Sequence, residues 1–230
     1  MNPVDFPALA GLNAFARLLS VGDVDSCVDV ENAFPEQERC SREKFLYRLT
    51  VCPELCRGLF VEPPDSKGQA RLIGHVIATR VSANRVIDAS MEMPSNWQGS
   101  TAAVVNEDQV IGNDPNGLSV GVHSLAINPA YQGKGIGRAL MEEYVHYIQT
   151  SVQPVTSLVI IAHGHLIRFY ESLGFTNLGP SPCAFGGGGW YDMLSNFRPG
   201  YNAEASISTS PIPESNRLDP LGIYLIIVSD

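Results

Sequence analysis

Residues 128 to 142 read NPAYQGKGIGRALME, and they set Gly133, Gly135 and Gly137 beside Lys134 and Arg138 at the start of an apparent helix. Glycine weakens a helix by roughly 1 kcal/mol at an interior position. Three so close together therefore imply a tight turn, or a ligand that must approach the backbone. A strand, a glycine-rich turn and a helix N-terminus in succession suit a phosphate, because free N–H groups and the positive end of the helix dipole converge there. Single positions exclude two common phosphate-binding patterns. A P-loop needs Ser or Thr after its Gly-Lys pair, and here Gly135 follows Lys134; the dinucleotide pattern G-x-G-x-x-G needs glycine where Arg138 or Leu140 stands. His123, on the strand leading into the turn, belongs to the residue type suited to moving protons at neutral pH.

The elements that must position these residues follow from hydropathy. "ARLLSV" (16 to 21) suits a strand, and Asp23 is placed to cap a helix running toward Ala33, which Pro35 ends. Ser41 is a second N-cap candidate, followed by Phe45, Leu46 and Leu49 at helical spacing. "RGLFVE" (57 to 62) and "ARLIGHVIATRV" (70 to 81) flank turn-forming residues and read as an antiparallel hairpin. Residues 82 to 119 form a long polar connection with a short periodic piece from Ile87 to Met93; connections of that length are functional or disordered. In "LSVGVHSLAIN" (118 to 128) the apolar positions switch from even to odd after His123, which predicts a β-bulge. An amphipathic helix covers 135 to 149, "SLVIIA" (157 to 162) suits a strand buried on both faces, and a short helix (165 to 175) stops at Gly174. "FTNLG" and "GWYDML" read as closing strands, and 195 to 230 as a loosely packed tail.

Gln132-Gly-Lys-Gly135-Ile-Gly137 matches a Q/R-x-x-G-x-G/A signature, and this segment resembles the coenzyme A pyrophosphate turn of the GNAT superfamily of N-acetyltransferases. "VHSLAIN", "RFYESLGF", "LGPSPCAFG", "LTVCPELCRGLFVE" and "ENAFPEQERC" resemble, in order, segments of the arylalkylamine (serotonin) N-acetyltransferase branch. The resemblance covers roughly residues 15 to 194, with 1 to 14 as an N-terminal extension. It implies an α/β fold of the GNAT type: a mixed, mostly antiparallel sheet of about seven strands, flanking helices and a splayed cleft for CoA. It also implies acetyl-CoA as donor, held by Leu125, Ala126, Ile127, Gln132, Gly133, Lys134, Gly135, Ile136, Gly137 and Arg138, and no metal.

Acetyl transfer to an amine poses two proton problems. An alkylamine titrating near 10.4 is neutral in only about one molecule in 2,500 at pH 7, a cost of about 4.6 kcal/mol unless the site helps. The departing thiolate in turn benefits from a proton donor. His123 is the candidate base. The resemblance matches Tyr170 to the family's proton donor, and Gly121 to the first histidine of its His-x-His, which this chain lacks. The Leu125 N–H is a candidate donor to the thioester carbonyl if the bulge leaves it unpaired. The resemblance implies direct attack by the amine in a ternary complex, and no cysteine carries its own base in the spacing, so an acyl-enzyme is not expected. The resemblance implies that Phe34, the Cys40 loop, Pro53 and Glu54 lie near the amine, and His163 is expected there too.

The net charge of −9 argues against nucleic acid, and no apolar run is long enough to span a membrane. Five cysteines without framework spacing, and no leader-like start, point to reduced thiols in a cytoplasmic protein. A monomer acting on a small-molecule amine is expected. An aromatic wall at Phe34 favours an arylalkylamine, whereas the acidic Glu36, Glu38, Glu54 and Glu62 suit a polyamine. A protein amine as acceptor, or an acyl-CoA-binding module without catalysis, are the other readings.

Overall fold

A computed structural model describes residues 9, 13–63, 68–99 and 103–197. The tail expected over 195 to 230 lies, beyond residue 197, outside the described residues. In chain order the elements are β1 (Ala14–Leu18), α1 (Val24–Glu31), α2 (Arg42–Val51), β2 (Arg57–Val61), β3 (Arg71–Val81), the one-turn α3 (Asp88–Met91), β4 (Val104–Asn106), β5 (Gln109–Ile111), β6 (Ser119–Ile127), α4 (Ile136–Ser151), β7 (Ser157–His163), α5 (Ile167–Glu171), β8 (Thr176–Pro180) and β9 (Trp190–Asn196). Seven strands form one sheet in the order β1-β2-β3-β6-β7-β9-β8, and β4 and β5 pair with each other. Within the large sheet only β6 and β7 run parallel.

That parallel pair is brief. Ser119–Val122 register with Ser157–Ile160, and there the pairing ends. β6 continues from His123 to Ile127 without β7 beside it, while β7 runs on to His163 paired only with β9. Both strands are almost wholly buried, as their continuous apolar sequences require. The switch in alternation at His123 is a β-bulge: Ser124 pairs with Ile77 and Val122 with Ala78, leaving His123 as the extra residue.

Period-two alternation sorts the sheet into two faces. A side chain at Gly74 would collide with Ile127 and press on Leu140 of α4, so these positions face α4. His75 faces the other way, bonding to Glu31 of α1 and meeting Phe45 of α2 edge-on. α4 buries Ile136, Leu140, Met141, Tyr144 and Ile148, a stripe at helical spacing. α1 buries Val24, Cys27, Val30 and Glu31 in the same manner.

Local chemistry shifts some boundaries. β1 begins two residues and ends three residues earlier than hydropathy suggests, because Asp23 accepts from the Ser20 N–H and hydroxyl and forks with Arg17, turning the chain away. Asp23 does occupy the N-cap position of α1, yet it makes no cap bond there; Ser41 caps α2 as expected, accepting from the Lys44 N–H. The long connection is built rather than loose. It holds α3 and a β4–β5 hairpin whose turn residues, Glu107 and Asp108, take left-handed backbone angles. All five cysteines are buried, and none is part of a disulfide.

α4 is bound to β2 by a buried ion pair, Arg57 with Glu143, with the guanidinium also lying over Tyr147 at 4.3 Å. Removing one partner of such a pair strands the other charge, at about 3–5 kcal/mol. Glu143→Ala is therefore expected to lower the unfolding free energy by about that amount in urea titrations, and Glu143→Ala combined with Arg57→Leu by less.

Candidate functional site

The glycine turn is shaped for access. Gly133 and Gly135 have φ of 72° and 76°, and a Cβ on either would meet nothing within 4 Å. Packing does not require glycine there; the backbone conformation does, and the space above stays open. Gly135 is the N-cap of α4, with Ile136 and Gly137 buried in its first turn, which carries no acidic residue. The first N–H groups of a helix lack intrahelical partners and favour an anion. Lys134 and Arg138 supply cations: the Lys134 ammonium bonds to the Ala130 carbonyl, and Arg138 reaches Ser172 at the C-terminal end of α5 and lies over Phe169 of the same helix. The Gln132 side chain turns back instead and donates to the Ile127 carbonyl at 2.8 Å, fastening the turn to the end of β6. Leu125, Ala126 and Ile127 are buried along the part of β6 that β7 does not cover.

The opening between β6 and β7 thus has a different character on each side. Toward α4 and α5 lies the turn, with Tyr170 of α5. Tyr170 is fully buried, edge-on to Phe169 and Phe175, and its hydroxyl has no hydrogen-bond partner among the described residues. Burial pushes its phenol well up from its ordinary value.

Toward α1 and α2 lies a polar face. The bulge aims both His123 and Ser124 at it. His123 Nε2 is 2.7 Å from the Thr79 hydroxyl and Nδ1 is 3.2 Å from Met91 Sδ, so both ring nitrogens are engaged. Burial, reinforced by the nearby charges of Arg48 and Lys44, holds its pKa well below the usual histidine value. Beside it the Ser124 hydroxyl donates to Glu31 Oε2 at 2.8 Å, His75 Nε2 lies 3.0 Å from both, and Glu31 Oε1 accepts from the Cys40 N–H. Arg48 donates to the Met91 carbonyl, and Asp88 accepts from Cys183 Sγ and from the Ala184 and Phe185 N–H groups. The long connection is accordingly a roof from α2 to the β8–β9 turn. At the position of the absent first histidine, a Cβ on Gly121 would press on Val81 at 3.1 Å and lie 3.8 Å from the His123 ring.

His163 closes β7 on this same face, since Gly121 registers with Val159 and the alternation carries on to His163. It stacks on Trp190 at 4.0 Å and on His165 at 5.8 Å. Its Nε2 is 3.4 Å from Glu38 of the α1–α2 connection. Phe34 belongs to the same connection, but it is packed into the core. Pro53 and Glu54 do not join this group. They precede β2, which lies beyond β3 from the opening, and the Glu54 carbonyl accepts from Tyr147 in the C-terminal half of α4. Sequence reasoning missed Glu31, His75, Thr79 and Ser124. The available signal was polar residues at core-facing positions: Glu31 three and four residues beyond Val28 and Cys27 on an amphipathic helix, His75 and Thr79 within an apolar strand.

A mixed sheet that opens between its two parallel strands, with a glycine-rich helix N-terminus at the mouth, is the arrangement expected above for a GNAT protein. The family model described as "Acetyltransferase (GNAT) domain" matches residues 66–194, and the chain belongs to that family. Among curated proteins, the serotonin N-acetyltransferase of Mesocricetus auratus is 27% identical over 139 residues, 60% of this chain and 54% of that protein. The chain thus spans about half the length of the curated relatives it matches. Among solved structures, the GphF GNAT-like decarboxylase in complex with isobutyryl-CoA is 17% identical with a TM-score of 0.57, and the PaiA N-acetyltransferase of Thermoplasma acidophilum in complex with coenzyme A is 16% identical with a TM-score of 0.50. Each alignment covers 80% of this chain and 99% of the other, a likeness of fold. Among the described residues no helix is long and apolar enough to cross a membrane.

The state of His123 gives a pH prediction. The folded protein keeps it neutral, whereas the unfolded chain protonates it near pH 6.5. The unfolded state therefore binds more protons below that pH, and stability is lost as pH falls, by up to about 1.4 kcal/mol per unit. The urea midpoint is expected to drop between about pH 7.5 and 5.5, and His123→Gln to flatten that drop.

Proposed function

We propose that this protein transfers the acetyl group of acetyl-CoA to the primary amine of a small molecule, most specifically an arylalkylamine, by direct attack. The observation that carries this reading is the two-sided opening: an anion cradle and a buried, unpartnered tyrosine hydroxyl on one side, histidines and carboxylates on the other. The isobutyryl-CoA and coenzyme A ligands of the two structural relatives and the activity named for the serotonin N-acetyltransferases agree with it. The pyrophosphate would rest on the N–H groups from Gly133 to Arg138, and the pantetheine arm along Leu125, Ala126 and Ile127. The thioester would then reach the opening with Tyr170 beside the sulfur and the Leu125 N–H near the carbonyl. The amine would approach from the α1–α2 face, where His123 is the base suggested by the sequence. The aromatic surface there is His163 backed by Trp190, since Phe34 is turned into the core.

A thiol-release assay with acetyl-CoA and a panel of phenylethylamine, tryptamine, serotonin, spermidine and an N-terminal peptide tests this. Turnover is expected with the arylalkylamines. Preference for spermidine would favour the polyamine reading through Glu38, and tight CoA binding without turnover would favour a binding module. Tyr170→Phe is expected to lower kcat by tenfold or more while raising the unfolding free energy by about 1 kcal/mol, because a buried hydroxyl without a partner is removed. Full activity of this variant at neutral pH would refute the acid role.

A further inference from the structure

We propose that Glu38 and His163 are the proton acceptor for the acceptor amine, filling the role left open at Gly121; this rests on the amine-acetylation reading above. A base at this step must take a proton from an ammonium and return it to water. His123 is poorly placed for the second half, being fully buried with both ring nitrogens already engaged. Glu38 and His163 meet both demands. Glu38 sits in the 3-10 turn Glu36–Glu38 and reaches His163, three residues past the last β6–β7 pair at Ile160, and the residue is only 8% exposed. Its Oε1 is 3.4 Å from His163 Nε2, and its Oε2 is buried with no hydrogen-bond partner among the described residues. That second oxygen is a vacant acceptor for an N–H donor. His163, by contrast, has a side chain 26% exposed and so opens to solvent. The flat stack of His163 on Trp190 adds aromatic surface beside the carboxylate, a combination that attracts an ammonium group. By the register of β6, β7 and β9, His163 and Trp190 share the face of His123.

The protons balance as follows. The ammonium gives one N–H proton to the Glu38 carboxylate, and His163 relays it to water. The freed lone pair attacks the thioester carbonyl carbon. The nitrogen, now positively charged, sheds its second proton as the C–S bond breaks, and the sulfur leaves protonated by Tyr170, which regains a proton from the nitrogen through the site. The sum is amide, free thiol and one proton released to solvent.

A base is needed only when the amine arrives protonated, which separates this role from a structural one. The best amine from the panel and its β,β-difluoro analogue, largely neutral at about pH 8 without assistance, are compared at saturating acetyl-CoA. Glu38→Gln and His163→Gln are expected each to lower kcat/KM for the parent amine at least tenfold and for the difluoro analogue by less than about threefold. His123→Gln should affect the two amines alike. The CoA dissociation constant and melting temperature of each variant report whether it is folded, and the ratio between amines within one variant is independent of the folded fraction. Equal losses on both amines, no loss on either, or a selective loss in His123→Gln would overturn the assignment while leaving amine acetylation standing. A panel with no substrate would overturn both.

Discussion

Parallel pairing between β6 and β7 stops at Val122 and Ile160, and a strand that runs on past its partner cannot stay as it is without consequence. From His123 to Ile127 one edge of β6 has no strand beside it, although the segment is buried. Backbone N–H and C=O groups in that situation need partners. The Gln132 amide meets one of these needs at the Ile127 carbonyl. An extended ligand rich in amide groups is chemically matched to the rest, and the anion cradle at Gly133 and Gly135 lies where such a ligand would end. The bulge at His123 adds to the divergence, since bulges increase local twist. It also turns two consecutive side chains to one face, which regular alternation forbids.

The polar face that results is held by a buried network rather than by packing alone. Glu31 ties α1 to Ser124 and His75 on the sheet, and through the Cys40 N–H to the segment entering α2. Breaking one member would strand a carboxylate at 1% exposure, so the network specifies where the α1–α2 connection lies as much as it stabilises it. Arg48 and Asp88 extend the frame to Met91 and to the β8–β9 turn. Glu38 hangs from a connection fixed at both ends, which is how a loop residue can reach β7 with defined geometry.

Much of this was legible in the sequence because it depends on local rules. Left-handed glycines, the Ser41 cap, the apolar run of β7 and the break in alternation at His123 each leave a signature within a few residues. What was not legible depends on register. Whether Pro53 and Glu54 lie near the opening turns on β2 standing beyond β3, and neither segment records that order. Phe34 looks like a pocket wall until α1 and α2 are packed and turn it inward. The long connection reads as loop because its strands are three residues each and its anchors are single side chains, Asp88 above all. Glu38 stood among four acidic residues of similar appearance. Only the sheet shows that it, and not Glu54, lies beside a histidine, His163 at the end of β7.

The distribution of unsatisfied groups carries the same message. Among the described residues, the buried side-chain atoms without a hydrogen-bond partner are on Glu38, Arg48, His75, Tyr170 and Asp192. Asp192 pairs in register with Ile161 and so shares the face of His163, as His75 shares that of Thr79. Four of the five therefore lie on the α1–α2 side, and the fifth is the tyrosine across the opening. Each such atom costs about 1–3 kcal/mol where no water or ligand reaches it, enough to matter against a total stability of about 5–15 kcal/mol. A fold retains that cost where the missing partner arrives with the substrate. Unpaired atoms on both faces of the sheet are what the proposed passage of a polar substrate between β6 and β7 requires.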